Sequence, residues 1–166
     1  MNVNIRPLRE EDAYKSVVWR NDPEVFKYTG NLYDHEILID SELNWIRKAI
    51  AKREDYRCAI EVDGVYVGNV YLLNVMSGIA EFHIFIGEKS YWGKGVAKMA
   101  TRQIVDYGFN AFNLDKITLS VRVANIRAFN LYLSVGFVEK LRDNDWIFME
   151  IDTCRYLSFV LTYDRY

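Results

Sequence analysis

Two glycines flank a lysine at the point where a strand-like segment gives way to a helical one. The segment Glu81 to Ile86 has an extended pattern, and Trp92-Gly93-Lys94-Gly95-Val96-Ala97 then leads into a helix. The first amide groups of a helix have no partners within it, and the helix dipole favours negative charge there. Glycines at this point leave the backbone amides open to a pyrophosphate, so the loop predicts an anion site. A plain tight turn is the alternative reading of the same glycines.

A second set of spaced residues follows further along the chain. Asn125, Ala128 and Tyr132 stand three and four residues apart and therefore share one face of a helix, which ends at Gly136-Phe137. A phenol has an ordinary pKa of about 10, so Tyr132 is protonated at neutral pH and can act as a general acid. Alternatively, the Tyr132 ring packs in the core with its hydroxyl at the rim. Asn125 has a second reading as a helix N-cap, which is compatible with a role in binding.

Two titratable side chains stand two residues apart on the segment before the glycine loop. Glu81 and His83 share one face because side chains alternate along a strand. An amine substrate arrives as an ammonium ion and must lose a proton before it attacks, so such a reaction needs a base. A partly buried Glu81 would have the raised pKa that suits a base, and histidine titrates near neutrality. We favour Glu81, with His83 or a water chain as alternatives; either side chain is otherwise a satisfied polar group at a sheet end.

Together, the loop and the helix motif resemble the signature of the GNAT superfamily of acyl-CoA N-acyltransferases. That signature joins a glycine-rich loop after a splayed strand to an N-x-x-A-x-x-x-Y-x-x-x-G-F helix. The resemblance covers nearly the whole chain and is densest between Ala80 and Phe137. The segments Asp106-Tyr107-Gly108-Phe109 and Asn113-Leu114-Asp115-Lys116 resemble the branch that holds ribosomal-protein N-terminal, spermidine and amino-sugar acetyltransferases.

The resemblance implies an enzyme that uses acetyl-CoA as co-substrate, without a metal, to acetylate an amine. In the family pattern Tyr132 would protonate the departing CoA thiolate, and Glu81 matches a position where some relatives carry a catalytic glutamate. The implied cofactor-binding residues form three groups. They are the backbone of His83, Ile84 and Phe85 along the pantetheine arm; Trp92, Gly93, Lys94, Gly95, Val96 and Ala97 around the pyrophosphate; and Asn125 with Ala128 on the helix.

Composition limits the class of protein. The chain has 166 residues, 51% apolar and 15% aromatic, which suits one folded domain spanning residues 1–166. A net charge of −2 without runs of like charge argues against a nucleic-acid partner. Cys58 and Cys154 have no metal-ligand spacing, and no apolar stretch approaches the ~20 residues that span a bilayer. We expect a cytoplasmic enzyme with a small-molecule amine substrate and no membrane partner; its oligomeric state, homo-oligomers included, stays open.

The elements that must position these residues follow from local patterns. Strands are predicted at Val3 to Pro7, Tyr56 to Val62, Val65 to Val75, Ile79 to Ile86, Lys116 to Val123, Phe137 to Asp143 and Cys154 to Tyr163. Helices are predicted from Glu10 to Arg20, from Pro23 onward, from Ile39 to Lys52, from Val96 to Asn110 and from Asn125 to Val135. This order predicts an α/β (α+β) fold of the GNAT type, with a mixed, mostly antiparallel sheet flanked by helices.

The amine acceptor is the least determined part. The segment Val18 to Val25, with Trp45, resembles acetyltransferases of nucleotide-linked amino sugars: Arg20 would pair with a diphosphate, and Trp19, Trp45 or Tyr28 would stack on a sugar or base. Four carboxylates resemble the polyamine-binding cluster of spermidine acetyltransferases: Asp34, Glu36, Asp40 and Glu42. We favour the amino sugar, with a polyamine or a protein N-terminus as alternatives. Both groups of side chains, the Arg20 region and the four carboxylates, could equally be ordinary solvated surface. For the whole protein, the alternative to an enzyme is a module that binds acyl-CoA without catalysis.

Overall fold

The computed structural model describes residues 1–28 and 34–163. In this part of the chain one sheet has the strand order β1-β2-β3-β4-β5-β7-β6. The strands are β1 (Val3–Pro7), β2 (Tyr56–Val62), β3 (Val65–Met76), β4 (Ile79–Ile86), β5 (Lys116–Arg122), β6 (Val138–Arg142) and β7 (Trp146–Asp152). The helices are α1 (Ala13–Arg20), α2 (Ile39–Ala51), α3 (Val96–Ala111), α4 (Ile126–Leu133) and α5 (Thr153–Tyr163), with short 3-10 turns at Glu10–Asp12 and Lys89–Tyr91.

The sheet is antiparallel except between β4 and β5, and this exception creates the site. These two strands pair in parallel over only three positions, from Ile79 opposite Lys116 to Glu81 opposite Thr118. Beyond Glu81 β4 remains paired with β3, whereas β5 is paired with β7. The sheet therefore opens between β4 and β5, and the predicted mixed, mostly antiparallel sheet of the GNAT type is confirmed.

Alternating side chains give the sheet two apolar faces. On one face α3 packs its buried stripe against the strands, and a Cβ atom on Gly108 would lie only 3.0 Å from Leu72. On the other face α1 and α2 bury Trp19 and Ile46 against Ala59 and Tyr66. Helices therefore cover both faces of the β1 to β4 half, which holds the start of the opening rigidly.

Two predicted elements are wrong. No helix begins at Pro23: in residues 21–28 the amides of Val25 and Phe26 both donate to the Asp22 carbonyl, which makes turns. The last strand is β7, which ends at Asp152, and the predicted strand from Cys154 to Tyr163 is helix α5. Aromatic and β-branched residues in that segment suggested a strand. The Asp152 carboxylate instead accepts a hydrogen bond from the Arg155 amide and caps a helix start.

Membrane-spanning and metal-binding features are absent from the part of the chain that the structure describes. None of its helices is long and apolar enough to cross a bilayer. No group of three or more histidine, cysteine, aspartate or glutamate side chains there could hold a metal ion. Cys58 is buried, Cys154 is exposed, and both are free thiols.

Candidate active site between the separating strands

A cleft with a volume of about 1310 Å³ lies where β4 and β5 separate. We divide it into two halves by their lining residues. The loop half is lined by β4 beyond Glu81, the 91–98 segment apart from Lys94, and α4. The α2 half is lined by residues from α1, α2, β2 and β3, including Arg20, Glu42, Trp45, Arg57 and Tyr71. Glu81 and His83 also line the cleft, so the predicted catalytic and binding residues from separate motifs meet in one space, with the exception of Lys94. Lys94 is exposed, and its ammonium lies over the Tyr91 ring at 5.7 Å.

The glycine loop has the conformation and the open space that its residues predict. Gly93 and Gly95 have φ angles of +74° and +81°, in the left-handed region that disfavours other residues. Apart from their neighbours in the chain, no described atom lies within 4 Å of the Cβ position of either glycine. Gly95 stands directly before α3, so the unpartnered first amides of this long helix begin at the cleft. A tight turn alone would explain the positive φ angles. The open space beside the glycines is a further feature, and it leaves room for an anion to reach the backbone amides.

The β4 segment beyond Glu81 has one free backbone edge. His83, Ile84 and Phe85 lie opposite Tyr71, Val70 and Asn69 of β3. Among the described residues no strand pairs with their other edge, because β5 has separated from β4. Backbone amides and carbonyls on that edge need partners, which an extended ligand in the loop half can supply.

Tyr132 lies on α4 with its ring packed in the core and is also a lining residue of the cleft. It is 8% exposed, and the ring contacts Phe82 and Phe137 at centroid distances of 5.6 and 6.0 Å. Burial raises the pKa of Tyr132, which keeps the hydroxyl protonated. The described residues give this hydroxyl no hydrogen-bond partner. Packing and proton donation are therefore compatible roles.

Asn125 caps α4. Its Oδ1 accepts a hydrogen bond from the Ala128 amide at 3.3 Å, which confirms the predicted N-cap. Both residues line the cleft. The cap fixes the start of the helix that carries Tyr132, so the motif spacing has a structural consequence whether or not Asn125 also touches a ligand.

Glu81 and His83 form a pair at the point where the strands separate. His83 Nε2 lies 2.8 Å from Glu81 Oε1, which confirms that the two side chains share one face. Glu81 is partly buried, with 46% of its side chain exposed, whereas His83 is exposed at 48%. The pair therefore offers a carboxylate and an imidazole in direct contact at the cleft.

Three of the four side chains expected to bind an amino-sugar nucleotide are already engaged, whereas the fourth, Tyr28, lines the cleft and is 37% exposed. Arg20 Nε lies 3.1 Å from Glu42 Oε2, and these side chains are only 11% and 2% exposed. Ser16 donates to the other carboxylate oxygen of Glu42 at 2.5 Å. Trp19 is buried against Tyr66, and Arg20 and Arg57 lie over the Trp45 ring at 4.1 and 5.4 Å. Each charge here stabilises a buried partner, which leaves Arg20 unsuited to a diphosphate.

The expected acidic cluster does not form one surface either. Asp34, Glu36 and Asp40 are exposed, whereas Glu42 points into the protein toward Arg20. The segment between Tyr28 and Asp34, which joins this region to α1, lies outside the described residues. Three carboxylates therefore stay at the surface, and the fourth supports the α2 half of the cleft.

Arg57 and Tyr71 are among the lining residues that sequence reasoning missed. Arg57, Tyr71 and His83 stand directly opposite one another across β2, β3 and β4, on the face that carries Glu81. The Arg57 guanidinium lies over the Tyr71 ring at 4.8 Å and is paired with Asp55 at 2.8 Å. Alternation along the strands was the available signal, but it assigns the face only when the register is known.

Comparisons with known proteins agree with this geometry. Residues 2–138 match the family described as "Acetyltransferase (GNAT) domain". The chain is 33% identical over 149 residues to the spermidine N(1)-acetyltransferase of Escherichia coli K12, covering 82% of this chain and 73% of the relative. Identity to the spermidine N(1)-acetyltransferase of Vibrio cholerae is 32% over 125 residues, covering 74% and 65%. The crystal structure of spermidine N-acetyltransferase from Vibrio cholerae, in complex with CoA and spermine, aligns with a TM-score of 0.83 and 28% identity, covering 93% of this chain and 98% of that one.

Proposed function

We propose that this chain, which belongs to the GNAT acetyltransferase family and is an acetyl-CoA-dependent N-acyltransferase, acetylates a primary amine of a polyamine such as spermidine. The observation that carries the proposed chemistry is the meeting of buried Tyr132 with the Glu81 and His83 pair in one cleft. The polyamine class comes from relatives named as spermidine acetyltransferases. Spermidine replaces the amino-sugar nucleotide as leading acceptor because Arg20 is held by Glu42. We also propose that residues 1–166 act as one domain, within the branch that includes spermidine acetyltransferases.

The loop half offers the contacts that acetyl-CoA needs. Open glycines before α3 suit a pyrophosphate, held by backbone amides of the segment from Trp92 to Ala97. The free edge of β4 at His83, Ile84 and Phe85 suits the amide groups of the pantetheine arm. Asn125 and Ala128 line the same side. When bound, acetyl-CoA supplies the thioester whose acetyl group is transferred.

The side chains around the strand separation suit the two proton transfers. The Glu81 and His83 pair is placed to take a proton from the ammonium ion, which frees the nitrogen lone pair for attack on the thioester carbon. As the carbon–sulfur bond breaks, the Tyr132 hydroxyl donates a proton to the leaving sulfur, and the second proton that the nitrogen loses on forming the amide passes through water to restore the phenol. Burial raises the pKa of Tyr132, so the hydroxyl is in its protonated form at neutral pH and has a proton to donate.

The acceptor proposal is tested by competition. Spermidine, an amino-terminal peptide and a 4-amino sugar nucleotide are supplied at equal concentration with acetyl-CoA, and products are identified by mass spectrometry while thiol release is followed. We expect acetylated spermidine to form with the highest kcat/KM. Preference for the peptide or the sugar would overturn the polyamine assignment. Thermal stabilisation by CoA without amine-dependent thiol release would instead indicate a binding module.

The base is tested in the same assay across pH. Glu81→Gln removes the carboxylate charge while keeping the shape, and we expect it to flatten the rising limb of the pH–rate profile with spermidine. His83→Gln is the matched variant because it removes the other half of the same pair. A parent-like profile for Glu81→Gln, with a flattened one for His83→Gln, would move the role to the imidazole. Parent-like profiles for both would assign proton removal to water.

A further inference from the structure

Tyr71, a lining residue of the α2 half, carries a hydroxyl that makes no hydrogen bond of normal geometry. The residue is 6% exposed, and among the described residues its hydroxyl oxygen has no such partner, although the Asn69 side chain lies near it. Tyr66, on the same strand and 9% exposed, differs because its hydroxyl donates to Asn69 Oδ1 at 2.8 Å. Buried polar groups are rarely left without a partner, so a cleft-lining hydroxyl in this state points to a ligand.

The charges around Tyr71 are already balanced. Arg57, stacked over the Tyr71 ring, is paired with Asp55, and Arg20 is paired with Glu42. The charges around Tyr71 therefore cancel and leave none for a counter-ion to neutralise. The group that remains without a partner is the Tyr71 hydroxyl, which lacks a hydrogen bond. Burial raises the pKa of Tyr71, so the group stays a neutral phenol whose oxygen can accept an N–H donor.

Tyr71 is also a cross-strand neighbour of the reacting groups. It stands directly opposite His83 in the β3 and β4 register, so the two side chains lie on one face of the sheet. An amine with one nitrogen at the Glu81 and His83 pair can therefore reach Tyr71 with a second nitrogen through an aliphatic spacer. Polyamines have this arrangement, whereas a simple alkyl monoamine has only the first nitrogen.

We infer that the Tyr71 hydroxyl accepts a hydrogen bond from a second nitrogen of the acceptor, one that is not acetylated. This inference rests on the proposed polyamine function and adds a specificity-determining residue to it. Tyr71 selects amines by the position of the second nitrogen and takes no part in bond making. The Arg57 guanidinium, held by Asp55, stacks on the ring and fixes its position.

The test removes one oxygen atom. Tyr71→Phe is expected to raise KM for spermidine by up to about tenfold while kcat changes by less than about twofold, because one hydrogen bond to the acceptor is lost. KM for butylamine, which has no second nitrogen, should match the parent. The melting temperature of the free variant should be unchanged or higher, since an unsatisfied buried hydroxyl is removed.

Tyr66→Phe is the matched control. It removes a satisfied hydroxyl from the same strand, so the melting temperature should fall while KM for spermidine stays at the parent value. A parent-like KM of Tyr71→Phe for spermidine, or an equal rise for spermidine and butylamine, would overturn the inference. If the parent acetylates neither amine, the proposed function fails instead. The spermidine-induced melting shift with CoA present then reports on Tyr71 alone, and equal shifts in parent and Tyr71→Phe would overturn its role.

Discussion

The two halves of the cleft are built in different ways. The loop half uses backbone: two glycines with positive φ, the free edge of β4 and the capped start of α4. The α2 half uses side chains that meet across long stretches of sequence, such as Arg20 with Glu42 and Arg57 with Tyr71. Backbone features depend on local spacing, whereas paired side chains depend on the finished fold. A ligand bound mainly through backbone can therefore be inferred from a motif, and a ligand bound through side chains cannot.

The largest effect is expected from a substitution that disturbs the backbone of the loop half. Gly95→Asp places a side chain with a carboxylate where φ is +81° and the adjacent space is open. We expect the variant to lose the melting-temperature increase that CoA gives the parent, because the side chain blocks the amides and repels phosphate. For the parent, a hundredfold excess of ligand over Kd corresponds to about 2.7 kcal/mol of stabilisation.

Gly64 provides a matched control for this substitution. It also has a φ of +81° with nothing within 4 Å of its Cβ position, but it lies in the turn between β2 and β3. Gly64→Asp should therefore incur similar backbone strain and leave the CoA shift intact. CoA shifts that survive equally in both variants would show that the glycine loop is not the anion site.

A smaller effect is expected from disturbing the side-chain pairs of the α2 half. Glu42→Gln removes the charge that faces the buried Arg20 guanidinium, and we expect a loss of about 3 kcal/mol in the free energy of unfolding. Asp40→Asn, exposed on the same helix, should cost less than about 1 kcal/mol. Urea unfolding measures both. If Glu42→Gln kept parent stability and raised KM for spermidine, Glu42 would belong to acceptor recognition rather than to the framework.

The fold and the loop half were largely predictable from the sequence because they depend on local spacing along the chain. The glycines, the N-cap and the spacing to Tyr132 are local patterns, and each lies in the cleft as expected. The Asp63-Gly64 pair between β2 and β3 is an equally local hairpin pattern, and both residues have positive φ as such a turn requires. The last strand was misplaced because composition alone does not distinguish β7 from the apolar helix α5.

The α2 half was not predictable, and a single irregularity shows why. Counting back from the Asp63-Gly64 turn would set Arg57 opposite Val70, whose side chain lies on the other face of the sheet. A bulge between Ile60 and Glu61 shifts the register by one, so Arg57 lies opposite Tyr71. One residue of register moves a side chain to the opposite face. Arg20 and Glu42 likewise looked like solvated charges until the packing of α1 on α2 brought them together.

The central claim, that Tyr132 protonates the leaving thiolate, is tested most directly by the turnover of Tyr132→Phe. This variant keeps the ring that packs on Phe82 and Phe137 and removes only the hydroxyl. We expect kcat with spermidine and acetyl-CoA to fall by about 10²- to 10⁴-fold, while the melting shift produced by CoA stays at the parent value. Turnover equal to the parent, with CoA binding intact, would contradict the role assigned to Tyr132.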